Sequence, residues 1–172
     1  MHRRIIAAAL AIAFLPLAAS AQTPAPAAKE TPKEAPKEAA KEAAKTYIPG
    51  IEQFMNVIQS EHAKLWYAAQ TRNWELAAYQ LGEIKEIMGD VQDLYPKFKD
   101  LPLADMLDAV ITGPIAETEK ALDAKNYAKF AAGYDKLSTA CNSCHQATGN
   151  GFVVIQRPRG PGFPNQDFSP QK

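Results

Sequence analysis

"IPGIEQFMNVIQSEHAKLWYAAQ", residues 48–70, places Ile51, Phe54 and Met55, Ile58, His62, Leu65 and Trp66, and Ala69 at i, i+3/i+4, i+7 spacing. That is the period of a helix with one buried face, and the stripe is apolar except at His62. Thr71-Arg72-Asn73 breaks the pattern. It resumes through Trp74, Ala77, Leu81, Ile84, Met88 and Val91 and stops before Pro96, with Asn73 as a natural N-cap for the amides of the first turn. A third helix is expected from near Pro102 to about Asp123, kinked at Gly113-Pro114 because proline removes a backbone donor and crowds the preceding turn. The fourth opens at Asn126, runs "YAKFAAGYDKLSTACNSCHQA", and meets Gly149, which suits a left-handed cap.

The two junctions "TRNWELAAYQL" and "AKNYAKFAAGYDKL" share a basic residue, an asparagine and an aromatic. They reflect either a duplicated helical hairpin or one cap chemistry used twice. Short connections favour antiparallel neighbours, so the expected fold is all-α, an up-down-up-down four-helix bundle over residues 46–149. Residues 150–172 are expected to form an irregular tail. Its one strand-like run, "FVVIQ" at 152–156, is too short and isolated to build a sheet.

The amino terminus carries His2-Arg3-Arg4, an apolar run, and then Ala19-Ser20-Ala21, the layout of a secretory signal peptide over residues 1–21. The apolar run is shorter than the roughly 20 residues of a membrane span and contains Pro16, so no stable membrane insertion is expected after cleavage. Residues 22–45 are rich in Ala, Pro, Lys and Glu, with a Lys-Glu pair every fourth position, and read as a solvated linker. From Thr46 onward, 12 lysines and arginines face 15 aspartates and glutamates, a formal charge of −3 with neutral histidines. No basic patch suggests nucleic acid as a partner.

The chain's two cysteines lie in "ACNSCHQ", residues 140–146. A thioredoxin-like disulfide would want its first cysteine at a helix N-terminus, where the dipole stabilises a thiolate; here both lie at the opposite end. A structural zinc site would need four ligands, and only Cys141, Cys144 and His145 fall together. The remaining chemistry is covalent haem c. Two thioethers form from Cys141 and Cys144, and His145 serves as axial iron ligand, in the exported compartment that the signal peptide predicts.

A helical bundle with Cys-x-x-Cys-His near the end of its last helix resembles the class II c-type cytochromes, the cytochrome c′ and c-556 group. "CNSCHQATGNGFVVIQ" and "EHAKLW…NWELA" also resemble a set of exported bacterial c-type cytochromes. The resemblance covers residues of roughly 50 to 166, and its specific part is the motif and tail. With the motif and the export signal it leads to the expectation of a periplasmic monohaem carrier of single electrons between redox partner proteins, not an enzyme; class II relatives often dimerise through their first helices, which makes a homodimer one candidate state. The chain departs from cytochrome c′ by continuing more than twenty residues past the motif.

In an antiparallel bundle the end of the fourth helix lies beside the start of the first, the end of the second and the start of the third. Met55, His62, Met88 and Met106 are therefore candidates for the far face of a haem. Depth at about 1.5 Å per residue favours Met55, whereas the family analogy and the isolated imidazole favour His62 as sixth ligand. Packing is the competing reading for Met55, and a hydrogen-bonded edge position for His62. If neither binds, the iron stays five-coordinate and open to a gas such as nitric oxide. A peroxidase would need an acid-base pair, and His62 stands alone. Tyr134, seven residues before Cys141, is a candidate pocket residue, with packing as the favoured alternative, and Phe152 is a candidate shield for the ring. Arg157 and Arg159 are candidates for pairing with propionates.

Overall fold

The computed structural model describes residues 47–160 and 162–171. The expected signal peptide and linker lie outside these residues. Helices α1 (Ile51–Gln70), α2 (Trp74–Leu94), α3 (Leu103–Asp123) and α4 (Tyr127–Ala147) form the bundle. Among the described residues the strand pairing is a single bridge, Phe98 to Leu101, and no helix is long and apolar enough to cross a membrane. The expected all-α bundle with an irregular extension is the observed architecture.

The resemblance between the hairpin junctions is cap chemistry repeated atom for atom. At the first, the Arg72 amide donates to Ala69 O and the Asn73 amide to Ala68 O; at the second, Lys125 donates to Leu122 O and Asn126 to Ala121 O. These are the paired bonds of a Schellman motif, with Arg72 (φ 64°) and Lys125 (φ 50°) in the left-handed position. The same asparagine then starts the next helix: Asn73 Oδ1 accepts from the Leu76 amide and Asn126 Oδ1 from the Lys129 amide. At the end of α4 the left-handed residue is Gly149 (φ 80°), with Asn150 N donating to His145 O at 2.7 Å. A side chain in this conformation is strained where glycine is not. Lys125 is exposed, so Lys125→Gly should stabilise the fold by about 0.5–1 kcal/mol and raise Tm by about 2–4 °C, read by thermal unfolding.

α3 continues through Pro114, whose carbonyl accepts from Thr118 Oγ1 at 2.8 Å. α3 and α4 approach closely at Gly133, where a methyl group would stand 2.8 Å from that same Thr118 Oγ1. α1 packs closely on α2, and α3 on α4, while α1 and α4 come together less closely. Trp66, Phe130 and Tyr134 fill part of that gap.

The tail covers the rest. From the end of α4 it turns back along the bundle: Asn142 binds Ile155, Asp135 binds Arg157, Tyr67 Oη donates to Gly160 O, and Thr71 Oγ1 to Phe168 O. Phe168 is buried against Tyr67 and Phe163. The polypeptide beyond the Cys-x-x-Cys-His motif is thus a strap bound to both α1 and α4.

Candidate functional site

Helical spacing brings the motif to one face. Cys141, Cys144 and His145 stand at i, i+3 and i+4 on the last turns of α4, and all three line one cavity of about 500 Å³. That volume lies in the range of about 300–1,000 Å³ usual for cofactor and small-molecule sites. Its other walls come from the four bundle ends that the antiparallel order brings together. α1 supplies Ile51, Met55, Ile58 and His62; α2 supplies Met88; α3 supplies Leu103, Leu107 and Ile111. Phe98, on the turn between α2 and α3, closes one side, and Phe152, Val153 and Ile155 of the tail another. Met106 is not among the lining residues. The bundle is held closed at this end by Tyr95 Oη, which donates to Pro49 O at 2.6 Å, and by Lys99 Nζ, which donates to Thr148 O at 3.2 Å.

His145 is oriented before any ligand arrives. Its Nδ1 lies 2.8 Å from the Val153 carbonyl, which can only accept, so Nδ1 carries the proton and Nε2 keeps a free lone pair. Both cysteines are free thiols. Burial and the neighbouring Cys144 push the Cys141 thiol up to about 11, and burial raises Cys144 as well. Groups so shifted are poor thiolates, which weighs against thiol-disulfide exchange as the motif's chemistry.

His62 is buried on the α1 stripe with both ring nitrogens engaged by α4. Ser138 Oγ donates to Tyr134 O at 2.9 Å, so at 3.1 Å from His62 Nε2 it acts as acceptor. Nε2 therefore carries the proton, and Nδ1 accepts from Tyr134 Oη at 2.8 Å. Tyr134 Oη also lies 3.0 Å from the His62 carbonyl, and the two rings stack with centroids 4.1 Å apart. Tyr134 is thus not a lining residue: it is fully buried behind His62, where its phenol satisfies the imidazole. Burial pulls His62 down to about 4 and raises Tyr134, so both stay neutral near pH 7.

Phe152 lines the mouth and is 82 % exposed. Arg157 does not face the cavity; it makes a bidentate pair with Asp135 at 2.7 and 2.6 Å and lies over Trp66. Arg159 borders a second hollow with Gln59, His62 and Arg157. Sequence spacing finds the motif face but misses Asn142, whose amide grips the tail, and Ser138, at i+4 from Tyr134. The signal for Ser138 was its place one turn before Cys141 on the same helix.

Among the described residues no group of three or more His, Cys, Asp or Glu side chains stands together as a metal site. A metal held here would have to bring most of its ligands with it. No protein-family model, curated protein or solved structure matches this chain.

Proposed function

We propose that this chain is an exported monohaem c-type cytochrome of the class II, four-helix-bundle kind, which carries single electrons between partner proteins. The observation that carries the reading is the placement of Cys141, Cys144 and His145 on one wall of a mainly apolar cavity, with the His145 proton held on Nδ1 and its Nε2 lone pair free. The residues fit the group. Two thiols on one helical face would hold the haem by thioethers, and the single imidazole would be its axial ligand. Bound there, the haem supplies a one-electron Fe(III)/Fe(II) couple. The aliphatic wall from α3, with Ile51 and Ile58 of α1, would exclude water from it, and Phe152 with Val153 would cover its edge at the mouth.

Of the two candidates for a second iron ligand, Met55 would be the freer to serve. Both residues line the cavity, but each His62 nitrogen is already hydrogen-bonded within the fold. The same commitment of His62 makes general acid-base catalysis a poor fit, which supports a carrier rather than an enzyme. It also favours a second reading: with His62 committed within the fold, Met55 is the remaining candidate of the two on the α1 wall, and a methionine that stayed in packing would leave the iron open to nitric oxide.

The test is to express the full chain with export and haem maturation, then record absorption spectra in both oxidation states beside Met55→Ala. A covalently retained haem with low-spin spectra is expected. Met55→Ala should convert it to a high-spin form that binds carbon monoxide when reduced, with an affinity gain of tenfold or more. A chain that retains no haem after denaturation would sink the proposal. High-spin spectra in both states of the unsubstituted protein would select the gas-binding reading.

A further inference from the structure

Asn142 and Ser143 are the two residues between the cysteines, and thioether chemistry asks nothing of either side chain. Asn142 is nonetheless engaged at both ends of its amide: Nδ2 donates to the Ile155 carbonyl at 2.8 Å, and Oδ1 accepts from the Ile155 amide at 2.7 Å. An amide paired both ways with one residue's backbone acts as a strand neighbour would and fixes that residue in one register. Two positions earlier in the tail, the Val153 carbonyl takes the Nδ1 proton of His145. The two periods fit together. Asn142 and His145 are i,i+3 neighbours on α4, while Val153 and Ile155 are i,i+2 in the tail and both turn backbone groups to the helix. A turn bond from the Val153 amide to Asn150 O, at 2.8 Å, joins this segment to the cap of α4.

We propose that Asn142 is a positioning residue for His145: by fixing Ile155 it holds the Val153 carbonyl against Nδ1, and so sets the tautomer and plane of the imidazole. The consequence at iron rests on the haem reading; the geometry does not. A carbonyl on Nδ1–H keeps the lone pair on Nε2 and makes the ring a stronger donor, which stabilises the oxidised metal. Loss of the clamp therefore raises the reduction potential.

Two substitutions test this. Asn142→Leu keeps the branched side-chain skeleton and removes both hydrogen bonds, and Asn142→Asp keeps an acceptor for the Ile155 amide but offers no donor to its carbonyl. Ser143→Ala is the control. The first readout is the ring 15N spectrum of His145 in the full chain without haem, where the unsubstituted protein and the control should hold one Nδ1–H tautomer and Asn142→Leu a mixture. The second is the potential of the haem-loaded chain. At a fixed poise, the oxidised-to-reduced ratio should fall roughly tenfold in Asn142→Leu, an upward shift of about 59 mV for a one-electron couple. Asn142→Asp should fall between. Variants that melt earlier yet leave tautomer and potential unmoved would reduce Asn142 to a structural role and overturn the inference. If the unsubstituted chain attaches no haem, the functional reading fails, and the tautomer measurement still decides for or against Asn142. If Asn142→Leu does not fold, Asn142→Asp carries the same two readouts.

Discussion

Replacing Phe168 with alanine should cost about 3 kcal/mol of folding stability, while the same change at Phe152 should cost less than about 0.5 kcal/mol. The two phenylalanines lie in one tail and differ in what surrounds them. Phe168 is 9 % exposed and packs on Tyr67 and Phe163, whereas Phe152 is 82 % exposed. Truncating Phe168 also loosens the backbone around it, because Thr71 Oγ1 donates to its carbonyl at 2.6 Å and Asn73 Nδ2 to the next one at 3.1 Å. The strap is therefore expected to open from its far end, at the turn between α1 and α2, before it opens at the cavity. Denaturant unfolding gives the stability difference. Limited proteolysis gives the order: Phe168→Ala should expose cleavage sites after Phe163 while the Asn142–Ile155 clamp still protects the segment near 155. Equal stability losses at the two phenylalanines would mean that the tail is not held as a strap.

The sequence exposes this difference poorly, for a physical reason. Phe152 was singled out because it follows the motif closely, and Phe168 was not, because an extended segment rich in proline has no periodicity to say which side chain turns inward. Helical features were legible because their causes are local. The Asn73 and Asn126 caps, the Gly149 terminus and the Cys141/Cys144/His145 face each depend on residues three or four apart. The four bundle ends at the cavity followed from antiparallel order alone. Long-range pairings were not legible. Arg157 has an exposed guanidinium and several acids within reach in principle, and only the path of the tail beside α4 selects Asp135. Tyr134 was placed on the right face of α4, but its depth relative to His62 depends on how far α1 stands from α4. The aromatic residues between those helices and the strap across them set that separation, and neither is a property of one helix.

The separation of α1 from α4 also links the strap to the cavity. Where two helices of a bundle pack less closely, water reaches the core unless something else covers the gap. Here aromatic rings cover it in the middle of the bundle, and the strap covers it along its length. The same strap supplies the carbonyl for His145 and the apolar residues at the cavity mouth. A shorter chain ending at Gly149 would keep its four helices in sequence but lose both of these contributions at once.

The chain should lose about 3 kcal/mol of stability between pH 7 and pH 4 through His62 alone, and His62→Gln should remove most of that slope. Burial lowers the folded value from 6.5 to about 4, because the imidazole sits between α1 and α4 with both nitrogens paired. A lowered value means that the unfolded chain binds the proton first. Between pH 6.5 and 4 protonation thus favours unfolding: the stabilising contribution is complete above pH 6.5, falls as the pH drops toward 4, and falls no further once the folded state also binds the proton. The groups facing the ring offer no compensating charge. Tyr134 is held neutral by burial, Ser138 is a hydroxyl, and the adjacent Glu61 carboxylate is paired with Lys64 at 2.7 Å. What the fold does offer is an alternative acceptor. If Nδ1 gains a proton it can donate to Tyr134 Oη, whose own proton turns to the His62 carbonyl 3.0 Å away, so the cost is mainly desolvation of the charge rather than a broken hydrogen bond. Urea unfolding of the full chain at pH 7, 5.5 and 4, with His62→Gln measured beside it, checks the prediction. Parallel pH profiles for the two proteins would show that His62 is not the group that senses acid.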